Sequence, residues 1–109
     1  MFDKDQDRYI TRGVKNTLST KLQIILWGLI AELKEQAKED EELEVDYLQV
    51  FQLEPNGIKD GQEIQQVIHS QEKPDYKRII YVPVKKAVNE KLFAIDDKSH
   101  STLLLAKEY

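Results

Sequence analysis

Apolar residues recur at helical spacing in one stretch near the start of the chain. They form a stripe at intervals of three and four residues, which is typical of a helix with one buried face. The stripe consists of Leu22, Ile25, Leu26, Leu29, Ile30, Leu33 and Ala37. Thr20 followed by Gln23 fits a capping box, so the pattern predicts one long helix that begins at Thr20 and runs to Lys38.

Alternating apolar and polar residues predict strands on both sides of this helix. Strands are expected over residues 9–12, 45–53, 63–71, 76–84 and 92–95, and residues 102–106 form a last strand or a short helix. Turn residues occupy 54–57 and 73–75, with Gly61 closing the first of these loops. Pro83 indicates either that the strand over 76–84 lies at an edge of the sheet or that Pro83 lies at a strand end, because proline has no N–H to donate to a neighbouring strand.

The strand over residues 45–53 is apolar on both faces. Phe51 and Leu53 fall on one face, and Leu48 and Val50 fall on the other. A strand with this pattern is typically central and partly buried on both sides. The elements together predict a single α+β domain over residues 1–109, in the order β-α-β-β-β-β-β. Its sheet of about five to six strands is mostly antiparallel, with the long amphipathic helix packed on one face.

Composition limits the classes of function. The chain has 109 residues, a net charge of −4 and no cysteine, which excludes disulfides, thiolate catalysis and cysteine-based zinc sites. An acidic chain is a poor ligand for a phosphate backbone, so we do not expect nucleic acid as a partner. Residues 1–8 are polar, without the apolar run of a signal peptide, and no stretch is long enough to span a membrane. We therefore expect a cytoplasmic protein without a membrane partner.

The predicted helix also carries apolar and small residues on the side opposite its stripe. These residues are Ile24, Trp27, Gly28 and Ala31. Burial of an isoleucine and a tryptophan is strongly favourable, so something is expected to cover them. The cover is either this chain itself, through the N-terminal segment with Phe2 or the C-terminal segment ending at Tyr109, or the same face of a second copy.

Several segments resemble one family of small proteins from Gram-positive bacteria and their phages, the domain of unknown function 960. The resemblance spans essentially the whole chain and includes Arg8–Val14, Leu26–Trp27, Asp46–Phe51, His69–Tyr76, Ile95–Asp97 and His100–Tyr109. It implies a bacterial or phage cytoplasmic protein, and it brings no activity or ligand with it.

A short polar segment near the C-terminus is the strongest candidate for chemistry. Asp96, Asp97 and His100 fall in a predicted hairpin turn, where two carboxylates and an imidazole could bind a divalent cation or activate water. His69 or Glu72 would have to be brought close by the sheet to complete such a site. The same residue types are common in ordinary turns, and His69 is also typical of a structural histidine paired across a sheet.

Two arginines near the start of the chain are candidates for an anion site. Arg8 and Arg12, with Gly13, lie close to the N-terminus of the predicted helix, whose backbone N–H groups attract anions. Pairing of these arginines with the acidic half of the chain is the simpler interpretation.

The residues favour a function without catalysis. We identify no catalytic set and no metal ligands, and we expect no cofactor. The first hypothesis is a non-enzymatic interaction protein, either a homodimer or a protein that docks on an unknown protein partner. The alternative is a small metal-assisted hydrolase or ligand-binding enzyme that uses Asp96, Asp97 and His100.

Overall fold

The computed structural model describes residues 1–3 and 6–109, which form one six-stranded sheet, two helices and a short 3-10 turn. The strands are β1 (Asp7–Ile10), β2 (Leu48–Lys59), β3 (Gln62–Gln71), β4 (Tyr76–Val84), β5 (Glu90–Asp96) and β6 (His100–Leu105). The helices are α1 (Arg12–Thr17) and α2 (Thr20–Glu39), and the 3-10 turn covers Ala106–Glu108.

The strands lie in the order β1-β6-β5-β2-β3-β4. Every neighbouring pair is antiparallel except β1 and β6, which are parallel. The prediction of an α+β fold with a mostly antiparallel sheet is confirmed. β2 is an inner strand, and β4 is an edge strand, as Pro83 predicted.

The long helix α2 is confirmed, but its cap is one residue earlier than predicted. The Ser19 side chain accepts a hydrogen bond from the Leu22 N–H and so satisfies one of the free donors of the first turn. The predicted capping box of Thr20 and Gln23 is wrong, because the Gln23 amide donates instead to the Leu18 carbonyl. No helix within residues 1–3 and 6–109 combines the length and the apolar composition that a membrane crossing requires.

The first elements differ from the prediction. β1 lies at Asp7–Ile10 rather than 9–12, and a second helix, α1, follows it. The Thr11 hydroxyl caps α1 by accepting from the Val14 N–H. Val14 and Leu18 are buried and continue toward Leu22 at four-residue spacing, so a helical period was present in the sequence upstream of α2.

The connection between β2 and β3 is also different. The predicted turn at 54–57 is wrong, because β2 continues through it to Lys59, with a bulge between Pro55 and Ile58. The chain reverses at Asp60 and Gly61, whose φ angles are +52° and +79°. Positive φ at both central positions defines a type I′ hairpin turn, for which Asp-Gly is a favoured pair.

One layer of helix covers one face of the sheet. The stripe of α2 packs against β2, β3, β5 and β6, and the contact buries Leu26, Leu33, Phe51, Leu92 and Leu103 completely. Along β3, β5, β6 and the first half of β2, buried residues alternate with partly exposed ones, so the buried set marks the face that turns toward α2. The hydrophobic core lies between these two layers.

The two sides of α2 should respond differently to truncation. We expect Leu26→Ala to lower the free energy of unfolding by about 2–5 kcal/mol, because it leaves a cavity in the core. Ile24→Ala, on the opposite side where Ile24 is 66% exposed, should change it by no more than about 0.5 kcal/mol. Urea denaturation of both variants measures the difference, and equal losses would contradict the assignment of the core face.

Candidate functional site

The Asp96–His100 turn uses its carboxylates to bind its own backbone. Asp97 Oδ1 accepts hydrogen bonds from the N–H groups of Ser99, at 3.1 Å, and His100, at 2.9 Å. Asp97 Oδ2 lies 3.0 Å from His100 Nε2. The pKa of Asp97 is lowered, first by the hydrogen bond from the His100 N–H. The arrangement is that of a turn stabilised by an aspartate.

Asp96 faces the interior instead and holds the N-terminal segment. Its carboxylate is almost fully buried and accepts from the Phe2 N–H, from the Gln6 amide at 2.9 Å and from the Lys98 N–H at 2.6 Å. Burial alone would raise the pKa of Asp96, but these hydrogen bonds, with the positive charge of the N-terminus, keep it below its ordinary value. All of these partners belong to the chain itself.

His69 is a completely buried residue of β3. Its Nε2 lies 2.7 Å from Gln49 Oε1, and its ring stacks on Phe51 with the centroids 4.7 Å apart. The Gln49 amide nitrogen already donates to Gln71, so Gln49 Oε1 is the acceptor and His69 Nε2 carries the proton. His69 Nδ1 and the hydroxyl of the neighbouring Tyr76 have no hydrogen-bond partner in the described part of the chain. Burial lowers the pKa of His69 from 6.5 to about 4.

The fold does not bring the candidate polar residues together. His69 lies on β3 and faces α2, whereas His100 begins β6, and both β5 and β2 separate the two strands. Glu72 is exposed in the connection between β3 and β4. Within residues 1–3 and 6–109, no three histidine or acidic side chains are placed to hold a metal ion. Asp96, Asp97 and His100 share a turn, and the two carboxylates point to different sides of it.

The two arginines are also separated by the fold. The guanidinium of Arg8 lies over the Trp27 ring, 5.0 Å from its centroid, in a cation–π contact. Arg12 is exposed at the start of α1. The two guanidinium groups therefore lie in different surroundings, that of Arg8 against Trp27 and that of Arg12 in solvent.

The backbone donors at the start of α1 bind a carboxylate of the chain itself. Glu108 accepts from the Thr11 hydroxyl at 2.6 Å and from the Gly13 N–H at 3.3 Å, as well as from the Leu105 N–H at 2.8 Å. The Thr11 hydroxyl makes the largest contribution to lowering the pKa of Glu108. A Cβ at Gly13 would lie 2.5 Å from this carboxylate, so any larger residue there would require the exposed Glu108 side chain to move. This role of Glu108 was not predicted, because a contact across 97 residues leaves no local signal in the sequence.

The outer side of α2 is covered only in part. Phe2 is buried against the core and lines the same depression as Trp27, which is itself half-buried. Lys34 fixes this N-terminal segment by donating to the Phe2 carbonyl at 2.8 Å. Ile24, Gly28 and Ala31 remain exposed. Tyr109 takes no part in the cover, because its ring lies 5.5 Å from Phe93 on the sheet.

A larger apolar surface lies on the face of the sheet turned away from α2, which we call the outer sheet face. Its central residues on β2, β5 and β6 are paired across the strands, with Leu48 opposite Ile95 and Phe93 opposite both Val50 and Leu104. None of these residues belongs to the core cluster or packs against it. Apart from the Tyr109 ring, no element formed by residues 1–3 and 6–109 packs over them.

This surface continues to both edges of the sheet. On one side Ile68 lies opposite Ile79, and on the other the Tyr9 ring lies 5.1 Å from that of His100. We define the apolar band as these residues together, running diagonally across the outer sheet face. Its central members are Leu48, Val50, Phe93, Ile95 and Leu104, and its flanking members are Tyr9, Ile64, Ile68, Ile79 and Tyr81. Leu48 and Val50 indicated this surface in the sequence, because they make the face of β2 opposite Phe51 and Leu53 apolar as well.

The chain is similar to proteins whose descriptions give no activity. The family described as a Staphylococcal protein of unknown function (DUF960) matches residues 7–108. A solved structure, described as the crystal structure of the protein of unknown function from Enterococcus faecalis, is 28% identical, with a TM-score of 0.73. That match covers 99% of this chain and 94% of the other. No curated protein matches the chain.

His69 should make stability depend on pH. Because its pKa is about 4 in the folded protein and 6.5 when unfolded, the unfolded state binds the extra proton between these values. The free energy of unfolding should therefore fall by about 3 kcal/mol as pH drops from 6.5 to 4, and the His69 contribution to the slope should vanish only above about pH 7.5, where the unfolded state has lost the proton as well. Urea denaturation at a series of pH values measures the slope.

The matched variants separate His69 from the carboxylates. His69→Gln should remove most of the slope between pH 6.5 and 4, whereas His100→Gln, at the exposed end of β6, should retain it. The lowered pKa values of Asp96 and Glu108 add losses common to both variants as pH falls further, whereas His100→Gln also removes the imidazole charge that helps to lower the pKa of Asp97. An unchanged slope in His69→Gln would contradict the assignment.

Proposed function

The chain belongs to the DUF960 family, as the resemblance predicted, and we propose that it works by binding another protein chain and not by catalysis. The observation that carries this proposal is the apolar band. Contiguous apolar surface of this kind is rare on monomeric proteins and marks interaction sites. The band lies on a rigid sheet, so it needs no folding step before it can bind.

The candidate polar residues support a function without catalysis. The carboxylates of Asp96, Asp97 and Glu108 each accept several hydrogen bonds from the chain itself, and these bonds shape turns and termini. A catalytic carboxylate or imidazole must reach a substrate atom from an accessible position. His69 is fully buried, so it lacks that access.

The outer side of α2 is the second candidate docking surface. It offers Ile24 and the exposed part of Trp27, with Gly28 and Ala31 allowing close approach of a partner. Phe2 and Arg8 already cover part of Trp27, whereas no helix or strand of the described residues covers the apolar band. We therefore assign the principal docking role to the outer sheet face.

The proposal includes a cytoplasmic location in a bacterium or its phage. The absence of cysteine suits a reducing compartment, and the matching family is described as Staphylococcal. The docking partner is accordingly a protein of the same compartment.

Photo-crosslinking in cells tests the docking role. A benzophenone amino acid at Tyr81, which is 57% exposed within the apolar band, should give discrete adducts on irradiation. The same substitution at Tyr47, which is 53% exposed but lies outside the band, is the matched control and should give none. The mass of the adduct reports whether the bound chain is a second copy or another protein.

A second probe position guards against a poor geometry at Tyr81. Phe93, at the centre of the band, should give an adduct of the same mass. Absence of discrete adducts from both band positions, or equal adducts from Tyr47, would reject the docking role.

A further inference from the structure

We infer that the apolar band is the interface of a homodimer, in which two copies of this chain pack their outer sheet faces together. This inference rests on the proposed function and identifies its partner. It also differs from the expectation drawn from the sequence, which placed the dimer contact on Trp27 and its neighbours in α2.

The outer sheet face is large enough for a stable dimer. The two larger dimensions of the molecule are 42 Å and 29 Å. The sheet face is smaller than the product of these dimensions because the strands range from four to twelve residues in length; at about 3.3 Å per residue and about 4.8 Å between strands, the face measures on the order of 800 Å². A standard interface takes about 800 Å² from each partner.

The distribution of polar groups has the anatomy of an interface. Apolar residues follow the diagonal, and uncharged polar residues of the same face are interspersed with its flanking members: Gln52 lies opposite Ile68, Gln66 opposite Tyr81, and Thr102 between Ile95 and Tyr9. Interfaces typically have an apolar centre within a polar rim. The two aromatic residues Tyr9 and Tyr81 stand at opposite ends of the band, and tyrosine is enriched at such contacts.

The charges at the rim favour a second copy over an acidic or a basic partner. The outer sheet face carries Lys77 and Lys91 but also Asp7 and Glu54, so neither sign dominates. Lys77 lies on edge strand β4 and Asp7 on the opposite edge strand, β1. A two-fold axis parallel to the strands places β4 of one copy over β1 of the other. Each edge of the contact then carries Lys77 of one copy and Asp7 of the other, which have opposite charges.

Packing of two sheets face to face is an established way to bury such a surface. Aligned sheets pack about 10 Å apart, with side chains of both inner faces interleaved. The pattern of β2 agrees with this arrangement, because a strand covered on both sides is apolar on both faces. In the dimer α2 covers one face of each sheet and the second copy covers the other.

The mass in solution tests the inference directly. Light scattering on a sizing column should give twice 12.8 kDa for the wild-type chain, falling toward 12.8 kDa on dilution. Val50→Lys, at a central member of the band, and Ile68→Lys, at a flanking member, should each halve the mass while the circular dichroism spectrum of a folded protein is retained. Ile24→Lys, the same change on the outer side of α2, should leave the mass at the dimer value.

A chemical crosslink keeps the inference testable if the lysine variants fail to fold. The chain has no cysteine, so a single cysteine introduced by Val50→Cys can be joined only to the same residue of another copy. A short bismaleimide should link Val50→Cys into dimers and should link Ile24→Cys several-fold less efficiently.

The outcomes distinguish this inference from the proposed function. A wild-type chain of 12.8 kDa at every concentration, or folded Val50→Lys and Ile68→Lys variants that remain dimers, would overturn the homodimer. The docking role would still stand if the benzophenone at Tyr81 captured a different protein. It would fall if neither band position gave a discrete adduct, or if the Tyr47 control gave equal adducts.

Discussion

The packing of α2 against one face of the sheet is the contact on which the other parts of this structure depend. A helix of 20 residues is about 30 Å long and supplies one apolar stripe, which is enough to cover the middle of one sheet face. The ends of that face extend beyond the helix, and irregular segments cover them. Such segments bring backbone polar groups into the interior, where each group needs a hydrogen-bond partner.

Buried glutamines of the sheet meet that need. Gln71 donates to the carbonyls of Glu44 and Pro74, and Gln65 exchanges hydrogen bonds with both the N–H and the carbonyl of Val88. Asp96 does the same for the N-terminal segment through the Phe2 N–H. The buried polar residues therefore attach loops to the sheet, and His69 belongs to this set through Gln49. This accounts for a row of polar side chains inside a small protein without reference to catalysis.

The sequence predicted those features that depend on the residue pattern of a single element. It did not predict the features that depend on contacts between segments distant along the chain. The stripe of α2, the alternation of β3 and the edge position of β4 were all predictable, because each reflects a local period or a proline. The Asp60–Gly61 turn was present in the sequence as a favoured hairpin pair, but the turn residues at 54–57 competed with it. The strand order, the burial of Asp96 and the capping by Glu108 depend on contacts across about 90 residues or more, and no local pattern encodes them. The position of the apolar band required the strand order as well, although β2 already showed that a second face needed cover.

The pairing of β1 with β6 has a consequence for how the chain acquires its structure during synthesis. β1 has β6 as its one strand neighbour in the sheet, and the six-residue helix α1 is too short to be stable alone and is held by Glu108. Residues 7–17 leave the ribosome well before residues 100–108, and they have no place to dock until the later segment has followed. α2 and the hairpin of β2 and β3 can associate earlier. Residues 7–17 are therefore synthesised before these elements but join the folded structure after them. Closure of the sheet therefore requires residues 100–108 to have been synthesised, and until then the apolar residues of α1 stay exposed and are open to aggregation.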